Sequence, residues 1–219
     1  MAFIPGYIYG EPWMFVASFA WYLFLAATVM SAGHHRFYAH KAFKAGSWYP
    51  YYVNIFNLFT AAGPMMTRAA LHRYHHAYSD LEKDPTTPSF NGYWKTRFMF
   101  WDDVNIDRKF FKGLVNDPLL KFFKKHHFKL HFVIISLLFL IDPLFLVFAY
   151  CVPTVMSYHF YGMTNWHTHK TGSPKNVPWL SLLTGGEGDH EDHHKDSSNP
   201  RLSKRFDTGF WFIKMIRTD

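Results

Sequence analysis

Residues 13–33 run for 21 positions without a charged side chain, and no other feature limits the fold so tightly. A helix of that length rises about 30 Å at 1.5 Å per residue, which matches the hydrocarbon core of a bilayer. Inside lipid a chain must satisfy its own backbone hydrogen bonds, so the segment reads as a transmembrane helix. Composition points the same way, since 49% of the residues are apolar and 21% aromatic. A soluble domain has no room for that excess unless lipid covers it.

A second apolar stretch, residues 132–162, is broken by Asp142-Pro143. That pair is costly at mid-membrane but suits a turn, so the stretch reads as a helical hairpin with arms at about 126–141 and 143–164 rather than as a buried soluble hairpin. Residues 49–66 are moderately apolar but contain Asn54, Asn57 and Pro64. The histidines decide how that stretch lies.

Nine of the fifteen histidines fall into a spaced set: His35 and His40; His72, His75 and His76; His169; His190, His193 and His194. Imidazole suits iron, zinc, copper and nickel, and one ion seldom takes more than six ligands, so nine convergent histidines imply two metal ions. A full crossing at 49–66 would put His35 and His40 on the opposite face from His72–His76, so that stretch is expected to be an interfacial or re-entrant helix. His72, His75 and His76 stand at i, i+3 and i+4 and share a helix face, as do His190, His193 and His194, and Asn165 with His169. His35 and His40, five apart, lie about 140° around an α-helix and need a bend or helix end to converge.

Arg36, Lys41 and Lys44, Lys121, Lys124, Lys125 and Lys129, and Lys170 and Lys175 flank the membrane ends that bear histidines. By the positive-inside rule these loops are cytoplasmic, which puts the site on the cytoplasmic face of an integral membrane protein. The net charge of +7 also suits anionic headgroups or an acyl carrier's phosphates, and nucleic acid is not an expected partner. Cys151 is the only cysteine and lies in an apolar span, so no disulfide framework or thiolate site is expected. No cleavable signal peptide, internal repeat or glycine-rich phosphate loop is evident, and residues 1–219 read as one domain. The fold class is all-α: about three spans and an interfacial helix, with a cytoplasmic helical cap carrying a di-metal site.

Four segments, HRFYAHKAFK (35–44), HRYHHAYSDLEKDP (72–85), NWHTH (165–169) and GEGDHEDHH (186–194), in this order resemble the signature of membrane fatty acyl desaturases of the stearoyl-CoA and cyanobacterial acyl-lipid delta-9 type. The resemblance spans about residues 20–200. It implies that the nine histidines hold two ferrous ions and that Asn165 reaches one of them through water. It further implies that dioxygen and two external electrons remove hydrogens from adjacent carbons of an acyl-CoA or acyl-lipid, leaving a cis double bond. With no cytochrome b5-like sequence here, a separate ferredoxin- or cytochrome b5-like donor is expected.

There are departures from that pattern. The family usually has two spans before the first histidine box, so the first is expected to be missing. Arg68 stands where an aromatic residue is common, and Glu191 replaces an asparagine.

Depth along the first span suggests where an acyl tunnel ends: Ala27 and Leu23 lie about 12 and 18 Å below His35, and Ala27 is expected to border its floor. Asp80, Asp84, Glu187, Asp189 and Asp192 are candidates to hold the imidazoles from behind, Glu187 and Asp84 foremost. His34, His126, His127, His131, His159 and His167 are expected to be non-ligands, with His159 an interior residue and His126, His127, His131 and His167 at the membrane interface. Two other functions share some of these features. A di-iron hydroxylase of a fatty acid, carotenoid or sterol differs in box spacing and lacks the Gly-Glu-Gly lead-in. A non-enzymatic metal or haem carrier would place its ligands within the spans.

Overall fold

The computed structural model describes residues 10–60, 62–99 and 105–219, whose regular elements are helices; among them there is no strand, and two isolated bridges join Ala45 to Arg217 and Asn176 to Asp189. An α-helix over Pro12–Leu25 starts on a proline, whose missing N–H costs nothing there, and continues unbroken as a π-helix over Ala26–Ala39; together they are α1 (Pro12–Ala39). In the π segment hydrogen bonds reach back five residues, as from the His40 N–H to the His35 carbonyl at 3.1 Å. Residues five apart then stack above one another. The bend that His35 and His40 require is supplied by winding, and such turns concentrate at functional sites.

The 49–66 stretch is not one helix. Helix α2 (Tyr49–Phe56) passes through a 3₁₀ turn, Asn57–Phe59, and ends. Eight residues rise only about 12 Å, too little to cross a bilayer. Gly63, at φ +82°, and Pro64 then turn the chain into α3 (Met65–Tyr78); Ala61, inside the expected helix, lies outside the described residues. Helices α4 (Pro88–Arg97) and α5 (Pro118–Lys125) follow.

The predicted hairpin is α6 (His127–Ile141) and α7 (Pro143–His169). At its turn Asp142 accepts the Leu144 N–H at 2.7 Å, and Pro143 opens the second arm. Across the arms His131 Nδ1 meets the Tyr150 hydroxyl at 2.7 Å. Helices α1 and α7 are long and apolar enough to cross a membrane, whereas α6 has only 15 residues. On α6, Phe128, Phe132, Leu137, Phe139, Leu140 and Ile141 are all exposed, a run of apolar surface of the kind that marks contact with lipid or another protein. His159, expected inside, is exposed on α7, because its side of the helix faces away from the histidine cluster.

Three short helices, α8 (Ser181–Thr184), α9 (His190–Lys195) and α10 (Thr208–Ile216), complete the chain. The core packs Leu25, Val29 and Ala32 of α1 against Val53 of α2, Ala69 of α3 and Ile213 of α10. Helix α4 lies directly on α7 at Gly162, where a Cβ would overlap the Arg97 carbonyl.

Candidate metal centre

The nine histidines of the sequence pattern come together as two groups: His35, His40, His72, His76 and His193 in one, His75, His169, His190 and His194 in the other. Within each, the candidate ligand nitrogens lie within 4.8 Å of one another. Each H-x-x-H-H box is divided. On α3 the i, i+4 pair His72 and His76 joins the first group and His75 the second; on α9 the pair His190 and His194 joins the second group and His193 the first. The two boxes therefore straddle both groups in opposite senses, a division that shared helical faces alone did not reveal.

Ring nitrogens face ring nitrogens. His35 Nε2 lies 2.8 Å from His193 Nε2, His193 Nε2 3.0 Å from His76 Nε2, and His40 Nε2 2.9 Å from His72 Nε2. In the second group His194 Nε2 is 3.3 Å from His75 Nε2 and 3.2 Å from His190 Nε2, while the buried His169 Nε2 has no hydrogen-bond partner. Neutral imidazoles have one N–H each, too few to satisfy so many converging nitrogens, and lone pairs left over in a buried pocket are what a metal ion consumes. The donor set, all imidazole, fits iron or zinc.

Burial first, and Arg73 and His75 beyond it, hold the His40 imidazole down at about 3. Burial and neighbouring imidazoles likewise hold His72, His190 and His193 well below the usual value. Neutral imidazole is the form that ligates.

Three carboxylates grip the far side of the rings. Glu187 Oε2 meets His35 Nδ1 at 2.5 Å, Asp84 Oδ2 meets His75 Nδ1 at 2.8 Å and Asp80 Oδ2 meets His169 Nδ1 at 2.9 Å. Such contacts fix the tautomer so that Nε2 points inward. Burial works against Asp84 and Asp80, yet hydrogen bonds from His75 and Thr86 to the first, and from His169 and Thr87 to the second, leave both below the usual carboxylate range. At Glu187 burial wins over Arg36 and the Ser31 hydroxyl, and pushes the carboxyl up to about 8. Asp189 and Asp192, also candidates, make no contact with a histidine ring among the hydrogen bonds and ion pairs described; Asp189 offers its backbone carbonyl to the His193 N–H.

Sequence reasoning missed Ser31, Arg36, Thr86 and Asp207. Thr86 follows Asp84 by two, and its hydroxyl lies 2.8 Å from Asp84 Oδ1 and 2.9 Å from His75 Nδ1; that short spacing was the one available signal. Asn165 is half-buried on α7, one turn before His169. Ala27 is buried against Gly185, whose missing Cβ would press on the Ala27 backbone. A cavity of about 550 Å³ is lined by Met30, Thr67, Arg68, Leu71, Tyr150 and Tyr158 among others, and neither Ala27 nor Leu23 borders it. Of its lining residues Arg68 and Leu71 stand one helical turn before His72 and His75 on α3, while none of the nine histidines borders it.

No protein-family model matches the chain. It is similar to the delta-9 desaturase-like 5 protein of Arabidopsis thaliana, 28% identical over 81% of this chain and 64% of the relative. It is also similar to the sn-1 stearoyl-lipid 9-desaturase of Synechocystis sp., 27% identical over 89% and 64% respectively. The acyl-CoA C20 delta5-desaturase of Anemone leveillei is 26% identical over 92% of this chain and 70% of its own length. The chain thus spans a little under two thirds of the first two relatives. Fold and histidine arrangement define a helical histidine-box protein with paired imidazole clusters. These relatives are fatty acyl desaturases, and the similarity supports that family for the chain.

Proposed function

We propose that the protein is an acyl-chain desaturase of the integral membrane type, inserting a cis double bond, of delta-9 type, into an acyl-lipid or acyl-CoA with dioxygen and two electrons. The observation that carries this reading is the sorting of nine histidines into a five-member and a four-member cluster with inward-pointing nitrogens. In this reading His35, His40, His72, His76 and His193 hold one iron ion, and His75, His169, His190 and His194 the other, with Asn165 beside the second. Bound iron supplies the oxidising power to take hydrogen from an unactivated methylene, which no side chain can provide.

The remaining work belongs to the protein. Glu187, Asp84 and Asp80 hold the rings of His35, His75 and His169 in orientation, with Nε2 aimed inward. The 550 Å³ cavity beside α3 holds the acyl chain with one carbon pair next to the clusters and keeps water away, so that reaction is confined to that pair. The exposed apolar faces of α6 and the lengths of α1 and α7 support insertion in a bilayer, and the lysines and arginines around the boxes support a cytoplasmic site fed by a separate electron-donor protein. Expression in cells, followed by mass spectrometry of their fatty acids with double-bond location, tests the reading. A new unsaturated species is expected; a hydroxylated product in its place, or an unchanged profile with folded protein present, would overturn it.

A further inference from the structure

One buried ionic contact lies outside the ligand set yet connects to it. Arg36 follows His35 directly, and its guanidinium is 1% exposed and pairs with Asp207, 2% exposed, at 2.7 Å. Asp207 belongs to the segment that leads into α10, 171 residues away. Its Oδ2 accepts the Leu202 and Ser203 N–H groups at 2.7 and 3.0 Å, and its Oδ1 accepts the Phe210 N–H at 2.8 Å, so this one carboxylate organises the whole turn.

Arg36 donates onward to the Ser31 hydroxyl at 2.9 Å, the Gly185 carbonyl at 2.8 Å and the Pro200 carbonyl at 3.0 Å. The Ser31 hydroxyl in turn donates to Glu187 Oε1, and Glu187 Oε2 holds His35 Nδ1. There is no slack in the packing: a Cβ on Gly186 would collide with Asp207, and one on Gly209 would come to 2.8 Å from the Gly185 carbonyl. A continuous line of buried contacts therefore runs from Asp207 through Arg36, Ser31 and Glu187 to His35. Among the described residues no corresponding contact leads from Asp207 to Asp80 or Asp84, whose partners there come from residues 75–87 and 169.

We infer that Asp207 and Arg36 are positioning residues for the five-histidine cluster alone, so that docking of residues 200–216 and metal binding at that cluster stabilise each other. The inference rests on the metal-binding reading above. Linkage requires reciprocity: whatever factor docking adds to metal affinity, the metal must add to docking. Arg201, Lys204 and Arg205 are exposed within the docked segment and report its opening to trypsin.

The test uses the full chain purified in detergent, freed of metal and titrated with Co²⁺, whose visible spectrum reports each imidazole shell. Wild type is expected to bind two ions, and trypsin is expected to cut after residues 201, 204 and 205 more slowly with cobalt than without. Asp207→Asn is expected to weaken one ion by up to about tenfold, the lower end of the usual effect of losing an outer partner because it acts through Glu187, to leave the other at wild-type affinity, and to abolish the protection by cobalt. Asp80→Asn is expected to weaken the other ion and keep the protection. Ser31→Ala, which leaves the ion pair whole, serves where Asp207→Asn does not fold, and is expected to weaken the same ion as Asp207→Asn. Two ions bound as tightly by Asp207→Asn as by wild type, or both weakened equally, would overturn the inference while leaving the metal reading intact. A wild-type chain that binds no metal would overturn both.

Discussion

The five-histidine and four-histidine clusters use the same chemical group but are supported differently. The first draws its rings from α1 and the residue that caps it, α3 and α9, and among the described residues only one ring, His35, is backed by a carboxylate. The second has one ring fewer but two carboxylates, Asp84 behind His75 and Asp80 behind His169. Ligand number and ligand restraint trade against each other: a shell of five imidazoles tolerates a loosely held ring, whereas a shell of four depends on each ring being fixed. In the proposed reading a shell of four also leaves more of its metal open, on the side assigned there to Asn165.

The largest effect comes from deleting a ligand. Either His40→Ala or His75→Ala is expected to abolish product in the fatty-acid profile. Metal content separates them: with four imidazoles left, His40→Ala is expected to retain two ions at reduced affinity, whereas His75→Ala, with three left in its cluster, falls towards one. Equal metal loss would erase the difference between the clusters. Next come the carboxylates. Asp84→Asn is expected to cost the four-histidine cluster about 10–100-fold in metal affinity, and Glu187→Gln to cost the five-histidine cluster less, because four unsupported rings remain there. Competitive chelator titrations give both numbers, and a larger loss in Glu187→Gln would reverse the comparison.

Asn165→Ala tests the open side of the smaller shell. Turnover is expected to fall on the order of tenfold with the fold and at least one ion kept, since in the proposed reading Asn165 reaches metal through water, and such a group tunes a site more than it builds it. Unchanged turnover would remove Asn165 from the site.

How much of this was readable beforehand depends on sequence distance. His72, His75 and His76 lie within one helix, and helical spacing puts them together before any fold is known; Asp84 follows His75 by nine residues, close enough for the turn after the helix to return it. The hairpin was equally legible, because Asp142-Pro143 carries its own cap and helix start. The π-winding over Ala26–Ala39 was not, because its sequence is an ordinary apolar run and only the winding of the folded helix sets His35 above His40. Nor was Arg36 with Asp207, since a basic residue beside a presumed membrane end reads as a solvated charge until the fold brings a carboxylate from 171 residues away. The division of each H-x-x-H-H box between two clusters was hidden for a related reason. A helix face is broad enough to serve both, and only the second helix decides which ring turns which way.

The smallest effect expected is in the pH response of the metal-free protein, where the clusters' carboxylates differ in sign. Asp84 and Asp80 sit below the usual carboxylate range, so their contribution to stability is complete above the unfolded value of about 3.9 and is lost as pH falls through the lower folded value. Glu187 is raised to about 8. Between about 4.3 and that value the fold keeps a proton that the unfolded chain has released, so its contribution is present at low pH and lost as pH rises. The buried imidazoles, held low, add stability as pH rises to about 6.5 and cover this slope in wild type. The difference between variant and wild type isolates it. From pH 5 to pH 8 the melting temperature of Glu187→Gln is expected to gain on wild type by on the order of a few degrees, whereas the gap between Asp84→Asn and wild type stays constant over that range, because Asp84 is ionised in both states. A Glu187→Gln difference that does not change with pH would show that Glu187 stays ionised in the fold, and the electrostatic contrast between the clusters would be lost.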